Sequence, residues 1–312
     1  MFKIDWEVKI LSFKVDIKAT IISIVLLMLS MVIINFLPPL AFVILPFITI
    51  PGTILWYRSK PSFFVTVVVA LCATVLLSNV YLLTVMTLMI FMSVFIGQLL
   101  IERTSKERIL YLVTAFMSVL TIAGVLIMQL TEKLPLTSNV FNEYYDVIVS
   151  YFEMSGNFST EIQESLQASI DILQASIPGY IILWVFLLVL VNLLVTFPIL
   201  RKYKIATPVF RPLFMWQIKS SVAFIFVITV LVSLFVTKDN VVMYGIVTNL
   251  QFVLEWVIFI QALSLFHLFI KVKKLPIIVA VIIFVLAFIF KPIAYLFGLM
   301  DIWFNLKQRI KK

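Results

Sequence analysis

The chain is short of charge, glycine, histidine and cysteine, and each shortage closes off a class of function. Asp, Glu, Lys and Arg make up only 12% of 312 residues, about half of what a soluble domain uses. That is too little to clothe a water-facing surface. One cysteine, Cys72, excludes an intramolecular disulfide, and with the single histidine, His267, it removes most metal sites and nucleophile–base pairs. Cys72 lies in an apolar run and reads as a small lipid- or core-facing residue. There is no Gly-rich phosphate loop ending in Lys-Ser/Thr, no His-Glu-x-x-His, no Gly-x-Ser-x-Gly and no Gly-x-x-x-Gly. The expectation is a protein that is not an enzyme and that uses no cofactor and no metal.

What is present is apolar sequence, 63% of the chain, in blocks of about 20 residues, the length that crosses a bilayer's hydrocarbon. The blocks run at about 19–37, 40–57, 62–79, 81–101, 109–131, 178–200, 220–237, 241–270 and 275–304. They predict an all-α, polytopic transmembrane bundle of about nine spans, or ten if the last block is a hairpin turning at Lys291-Pro292. The block at 241–270 is too long for one perpendicular helix, so it tilts or begins with an interfacial turn near Tyr244-Gly245. Pro46 and Pro51-Gly52 interrupt the second block and demand partners for freed backbone groups. The first block follows a charged N-terminus without a small-residue cleavage site, so it is expected to stay as a span.

The net charge of +9 sits in short segments between the blocks, the pattern of cytoplasmic loops rather than of a nucleic-acid stripe. The implied partner is the lipid bilayer, with no nucleic acid. The positive-inside rule places the N-terminus and each basic loop through Lys274 in the cytoplasm. Residues 132–177 then lie outside the cell membrane, carrying Glu132, Glu143, Asp146, Glu153, Glu161, Glu164 and Asp171 against Lys133 alone. Within that segment Val140, Tyr144, Val147, Tyr151 and Phe152 share one helical face, and Ile162, Leu166, Ile170 and Leu173 another. Thr160 with Gln163 resembles a capping box. Two amphipathic helices are expected, on the outer membrane surface or over the bundle mouth. Residues 1–18 alternate polar and apolar, which fits an extended arm or an interfacial segment. The expected organisation is 1–18, a six-span module 19–200, and a C-terminal membrane module 201–312.

Ionisable groups at membrane depth are costly and point to function. Thr248, Gln251, Glu255 and Ala262 share one helical face. That carboxylate, flanked by an amide and a hydroxyl, suits a cation, a proton or a polar ligand, or else an interhelical hydrogen bond. His267 falls on the opposite side, near Lys271, and reads as interfacial. Lys291 either pairs with Asp301 across the final hairpin or snorkels outward. Gln98 and Asn192 are lone amides in apolar runs, suited to helix contacts.

Three stretches carry a resemblance: "PVFRPLFMWQ", "NLQFVLEWVIFIQALSLFHLFIKVKK" from Asn249 to Lys274, and "GLMDIWFNLKQR" from Gly298 to Arg309. They resemble the YybS family, uncharacterised polytopic membrane proteins of Gram-positive bacteria. The stretch "LPPLAFVILPFITIPGTILWYRSKPSFFVTVVVAL" is similar to the second and third spans of S components of energy-coupling-factor transporters. That resemblance implies a six-helix module with a small-molecule pocket opening outward beneath residues 132–177. It also implies docking on a partner through small residues on the first helix, here Ala19 and Ser23. The chain departs from the pattern in its low glycine content and in the further spans after the sixth. YybS-family genes commonly neighbour that of a membrane-anchored cyclic-di-AMP phosphodiesterase, which implies a membrane protein partner. The expected function is transport-related small-molecule binding; the alternative is a non-transporting partner or regulator of another membrane protein.

Overall fold

The computed structural model describes residues 15–154, 159–237 and 240–310, and among them only helices, turns and irregular segments occur. The helices are α1 (Ile17–Phe36), α2 (Ala41–Arg58), α3 (Lys60–Leu76), α4 (Val80–Ile101), α5 (Lys106–Leu130), α6 (Thr137–Met154) and α7 (Thr160–Ala175). They continue as α8 (Ile177–Lys202), α9 (Ser220–Ser233), α10 (Val241–Val272), α11 (Ile277–Ile289), α12 (Lys291–Phe304) and α13 (Leu306–Ile310). The residues considered for an N-terminal arm lie, through residue 14, outside the described residues, as do Lys238 and Asp239 of the expected turn.

Every expected apolar block is helical, though not every one reaches full span length. Among the described residues six helices are long and apolar enough to cross a membrane, seven if the bent pair α11–α12 counts as one span. The remaining apolar helices, α3 and α9, have 17 and 14 residues, shorter than the ~20 residues of an average crossing, a mismatch that a bilayer accommodates by thinning locally. The block at 241–270 forms one unbroken helix of 32 residues, α10, without a turn at Gly245. The final block breaks at Phe290, where α11 and α12 meet at a bend of 103°.

Helix starts follow the local sequence. Asp16, Ser59, Asn79, Ser105, Ser159 and Asn240 each accept a backbone N–H of the first turn, satisfying donors a helix cannot satisfy itself. Ser159, not Thr160, caps α7, so the capping residue stands one position earlier than the sequence pattern suggests. Helix ends show the shortage of glycine. Arg103, Glu132, Lys204 and Lys274 take the left-handed conformation (φ between 48° and 61°) just after α4, α5, α8 and α10. The following residues, Thr104, Lys133, Ile205 and Leu275, donate back to Leu99, Met128, Leu200 and Ile270. This is the Schellman closure, built with side chains where glycine is usual.

The chain divides into two compact units, Met1–Leu134 with Trp184–Phe210, and Pro135–Leu183 with Arg211–Lys312. In the first, α2 and α4 approach closely: a Cβ on Gly52 would stand 2.8 Å from Ser93 Oγ, and one on Gly97 2.7 Å from Trp56 Cδ1. Small residues at such crossings are the usual means of membrane helix packing. Polar side chains gather at the proline-bearing stretch of α2. Asn192 of α8 donates to Pro46 O (2.8 Å) and Thr49 Oγ1 (2.6 Å), and Ser93 lies within hydrogen-bond reach of Thr49 O (3.2 Å). In the second unit α10 is the spine against which α9, α12 and α13 pack. Outward faces of both units are apolar, with Phe42, Leu76, Ile277 and Ile278 more than two-thirds exposed. In water such surfaces would aggregate; in hydrocarbon they are solvated.

Candidate functional site

Three arrangements of side chains stand out, one in the first unit and two in the second. The first of the second unit's pair is a buried polar network joining the three stretches on which the YybS-family resemblance rests. Asp301 of α12 is fully buried and accepts from Gln261 Nε2 of α10 (2.5 Å) and from the backbone N–H of Lys307 (2.9 Å). The Lys307 ammonium lies 3.7 Å from Asp301 Oδ2 and donates to Ser264 Oγ (2.7 Å) and to the carbonyl of Trp216. Gln261 Oε1 accepts the N–H of Ile218 (3.0 Å), and Ser264 donates to Leu213 O (2.5 Å). Asn305, left-handed at φ 49°, turns the chain after α12 so that Lys307 folds back onto Asp301. Asn tolerates this conformation because its short polar side chain suits it. A buried charge needs a partner and further hydrogen bonds, and both charges here have them. The sequence reading missed this network. The available signal was an Asp inside an apolar helix followed by an Asn and a Lys beyond its end.

The second arrangement lies nearer the middle of α10. Glu255 accepts from Gln251 Nε2 (3.2 Å) and stands 3.7 Å from the ammonium of Lys291, the first residue of α12. That ammonium also lies 4.3 Å from the ring of Trp256 and 5.5 Å from that of Phe252, a cation–π arrangement. Thus Lys291 neither pairs with Asp301 nor snorkels outward: its partner is Glu255, and the partner of Asp301 is Lys307. Thr248 is half-buried one turn before Gln251 on α10. The order of contacts, Glu255 with Lys291, Ala262 with Gly298 and Gln261 with Asp301, makes α12 parallel to α10. A Cβ on Gly298 would meet the backbone carbonyl of Ile258, and it would lie 3.1 Å from Ala262 N. Asn249, one turn before Phe252, donates to Ala175 O (2.7 Å) and accepts from Gly179 N (2.6 Å), fixing the junction of α7 and α8.

His267 packs edge-on against Phe214, with ring centres 5.4 Å apart, and Lys271 lies over the same ring. Ser23 is buried and Ala19 half-buried, on the stripe with Thr20, Leu27 and Met31 that α1 turns inward. Gln98 donates to Glu102 at the end of α4 (2.9 Å). Cys72 is exposed on α3. Among the described residues no three His, Cys, Asp or Glu side chains converge as metal ligands.

The third arrangement is a chamber of about 430 Å³ in the first unit, between α2, α4, α5 and α8. Phe42, Met89, Met92, Met117, Trp184 and Leu188 are among its walls, and Thr121 and the indole of Trp184 bring its only side-chain polar atoms. These residues stand 11 to 17 positions from Arg58, Arg103, Lys106 or Arg201 at the helix ends, roughly 16–26 Å along a helix. That depth lies within a bilayer's hydrocarbon. Sequence patterns do not register this chamber, because its four walls come from distant parts of the chain.

Long apolar helices, lipid-compatible outer faces and charges paired at membrane depth define a polytopic α-helical integral membrane protein. The chain matches the family described as "Predicted membrane protein (DUF2232)" over residues 21–302 and belongs to it. It is 24% identical over 177 residues to the uncharacterized protein YybS of Bacillus subtilis (strain 168), a match covering 55% of this chain and 57% of that protein. The aligned region thus spans little more than half the length of that curated relative. No solved structure matches the chain.

Proposed function

We propose that this is a transport-related membrane protein that receives a small molecule in the chamber of its first unit. The observation that carries the reading is the chamber itself: a concave apolar volume of drug-ligand size, open on one side. The resemblance of the first spans to S components of energy-coupling-factor transporters supports the same reading, and it makes a separate energising partner the expected companion. The positive-inside rule places the N-terminus, the loops bearing Arg58, Arg103 and Arg201, and Lys273 in the cytoplasm. The chamber then lies in the middle and outer part of the bilayer, and residues 132–177 lie outside.

The test is purification in a mild detergent with mass spectrometry of retained small molecules. The expected result is a molecule retained by the wild type and lost from Leu188→Trp, whose indole fills the chamber. Retention in that variant with loss from Glu255→Gln would move the seat to the Thr248–Gln251–Glu255 face of α10.

A second reading, a non-transporting partner of another membrane protein, draws on one observation. Glu255 and Asp301 are each paired with a lysine inside the chain, which leaves neither as a ready carrier of a coupling ion. A stoichiometric membrane protein, such as a cyclic-di-AMP phosphodiesterase, co-purifying without any small molecule would favour it.

A further inference from the structure

We infer that the chamber receives the hydrocarbon chain of a membrane lipid, entering sideways between helices rather than from water; this rests on the chamber being the functional site. The walls argue first. No charged residue lines the chamber, and the amide of Asn192, buried one turn from Val189 and Leu188, is already engaged by Pro46 O and Thr49 Oγ1. A water-soluble ligand would surrender its hydration there with only the Thr121 hydroxyl and the Trp184 indole to bond in return, at several kcal/mol per polar group left unpaired. A methylene chain surrenders nothing.

The mouth argues next. Two wall residues are also strongly exposed on the outer surface, Phe42 at 77% and Trp184 at 63%. At the depth derived above, that surface faces hydrocarbon, so the opening meets lipid tails and not solvent. Size agrees: with a methylene near the ~30 Å³ share of a water molecule, 430 Å³ takes about 14. Met89, Met92 and Met117 supply unbranched, polarizable side chains that adjust to a flexible chain.

The experiment uses the full chain in nanodiscs made from phospholipid carrying a diazirine along one acyl chain, followed by photolysis and mass-spectrometric mapping. Met89, Met92 and Met117 are at most 4% exposed, so label reaches them only through the chamber. The expected result is label on these methionines, with labelling falling by about tenfold in Leu188→Trp as the indole occupies the space. Label on the outward residues Ile278 and Ile282 of α11 should stay unchanged. Val85→Phe, from another wall, serves if Leu188→Trp fails to fold. Methionines left unlabelled while α11 is labelled, or labelling unaffected by both fillings, would overturn the inference. If the methionines are unlabelled but a water-soluble molecule is retained and lost on filling, the chamber remains the functional site and only the lipid assignment falls. If neither label nor molecule is found, both fall.

Discussion

At the scale of single residues, the clearest consequence concerns Asp301 and Lys307. Each is buried, and each is the other's charge partner. Removing one leaves an uncompensated charge, which costs about 3–5 kcal/mol. Asp301→Ala and Lys307→Met are each expected to lower the midpoint of thermal unfolding in detergent markedly. The double variant Asp301→Asn/Lys307→Met should recover much of that loss, because no charge is left unpaired. Equal destabilisation in the double variant would mean that hydrogen bonding, not charge pairing, holds the network. Glycine offers a second residue-scale contrast. A Cβ on Gly298 collides with the backbone of α10, whereas one on Gly124 meets only Thr84 Cγ2 at 3.8 Å. Gly298→Ala should therefore destabilise by about 1–3 kcal/mol. Gly124→Ala should be neutral or stabilise by up to ~1 kcal/mol, read in the same unfolding assay.

At the scale of elements, α6 is the helix whose apolar side is least accounted for by the protein. None of its residues is buried, and Val140, Tyr144, Val147 and Tyr151 form an exposed stripe. Glu143, Asp146 and Glu153 lie on a different arc of the same helix. Tyrosines with aliphatic neighbours suit the headgroup boundary. In a Cys72→Ser background, cysteines at 144 and 151 carrying an environment-sensitive fluorophore should be quenched by spin-labelled lipid. Cysteines at 143 and 146 should respond to an aqueous quencher instead. Aqueous quenching at all four would place the stripe against water. The neighbouring α7 differs: Ile170 is buried, and Asn249 of α10 holds the backbone at its end, so this element is fastened by packing and hydrogen bonds.

At the scale of the molecule, the parallel course of α10 and α12 decides where the chain ends up. A single straight final span would carry the tail to the side opposite Lys273. Instead α11 runs back from the end of α10, the chain bends at Phe290, and α12 returns alongside α10 to place Lys307 beside Ser264 and Trp216. Single cysteines at Gln308 and Lys273 are therefore expected to react with a membrane-impermeant maleimide from the same side of sealed vesicles. One at Asn240, at the other end of α10, should react from the opposite side. Labelling of positions 308 and 273 from opposite sides would contradict the returning path.

Much of this was legible in the sequence because it depends on local patterns. Blocks of apolar residues became helices, and the cap expected at Thr160 lies one residue away at Ser159. The face of Gln251 and Glu255 on α10 followed from helical periodicity alone, and the break near Lys291 from the Lys291-Pro292 interruption of the last apolar block. The sequence did not separate full spans from the short apolar helices α3 and α9, since hydropathy blurs boundaries by several residues. It also misassigned the partner of Lys291. Which charge meets which depends on the rotation and depth at which two helices pack, set by contacts such as Gly298 on the backbone of Ile258. The polar network around Asp301 and the apolar chamber belong to that same order of fact. Each is assembled from three or four segments far apart in the chain, so only tertiary packing brings their residues together.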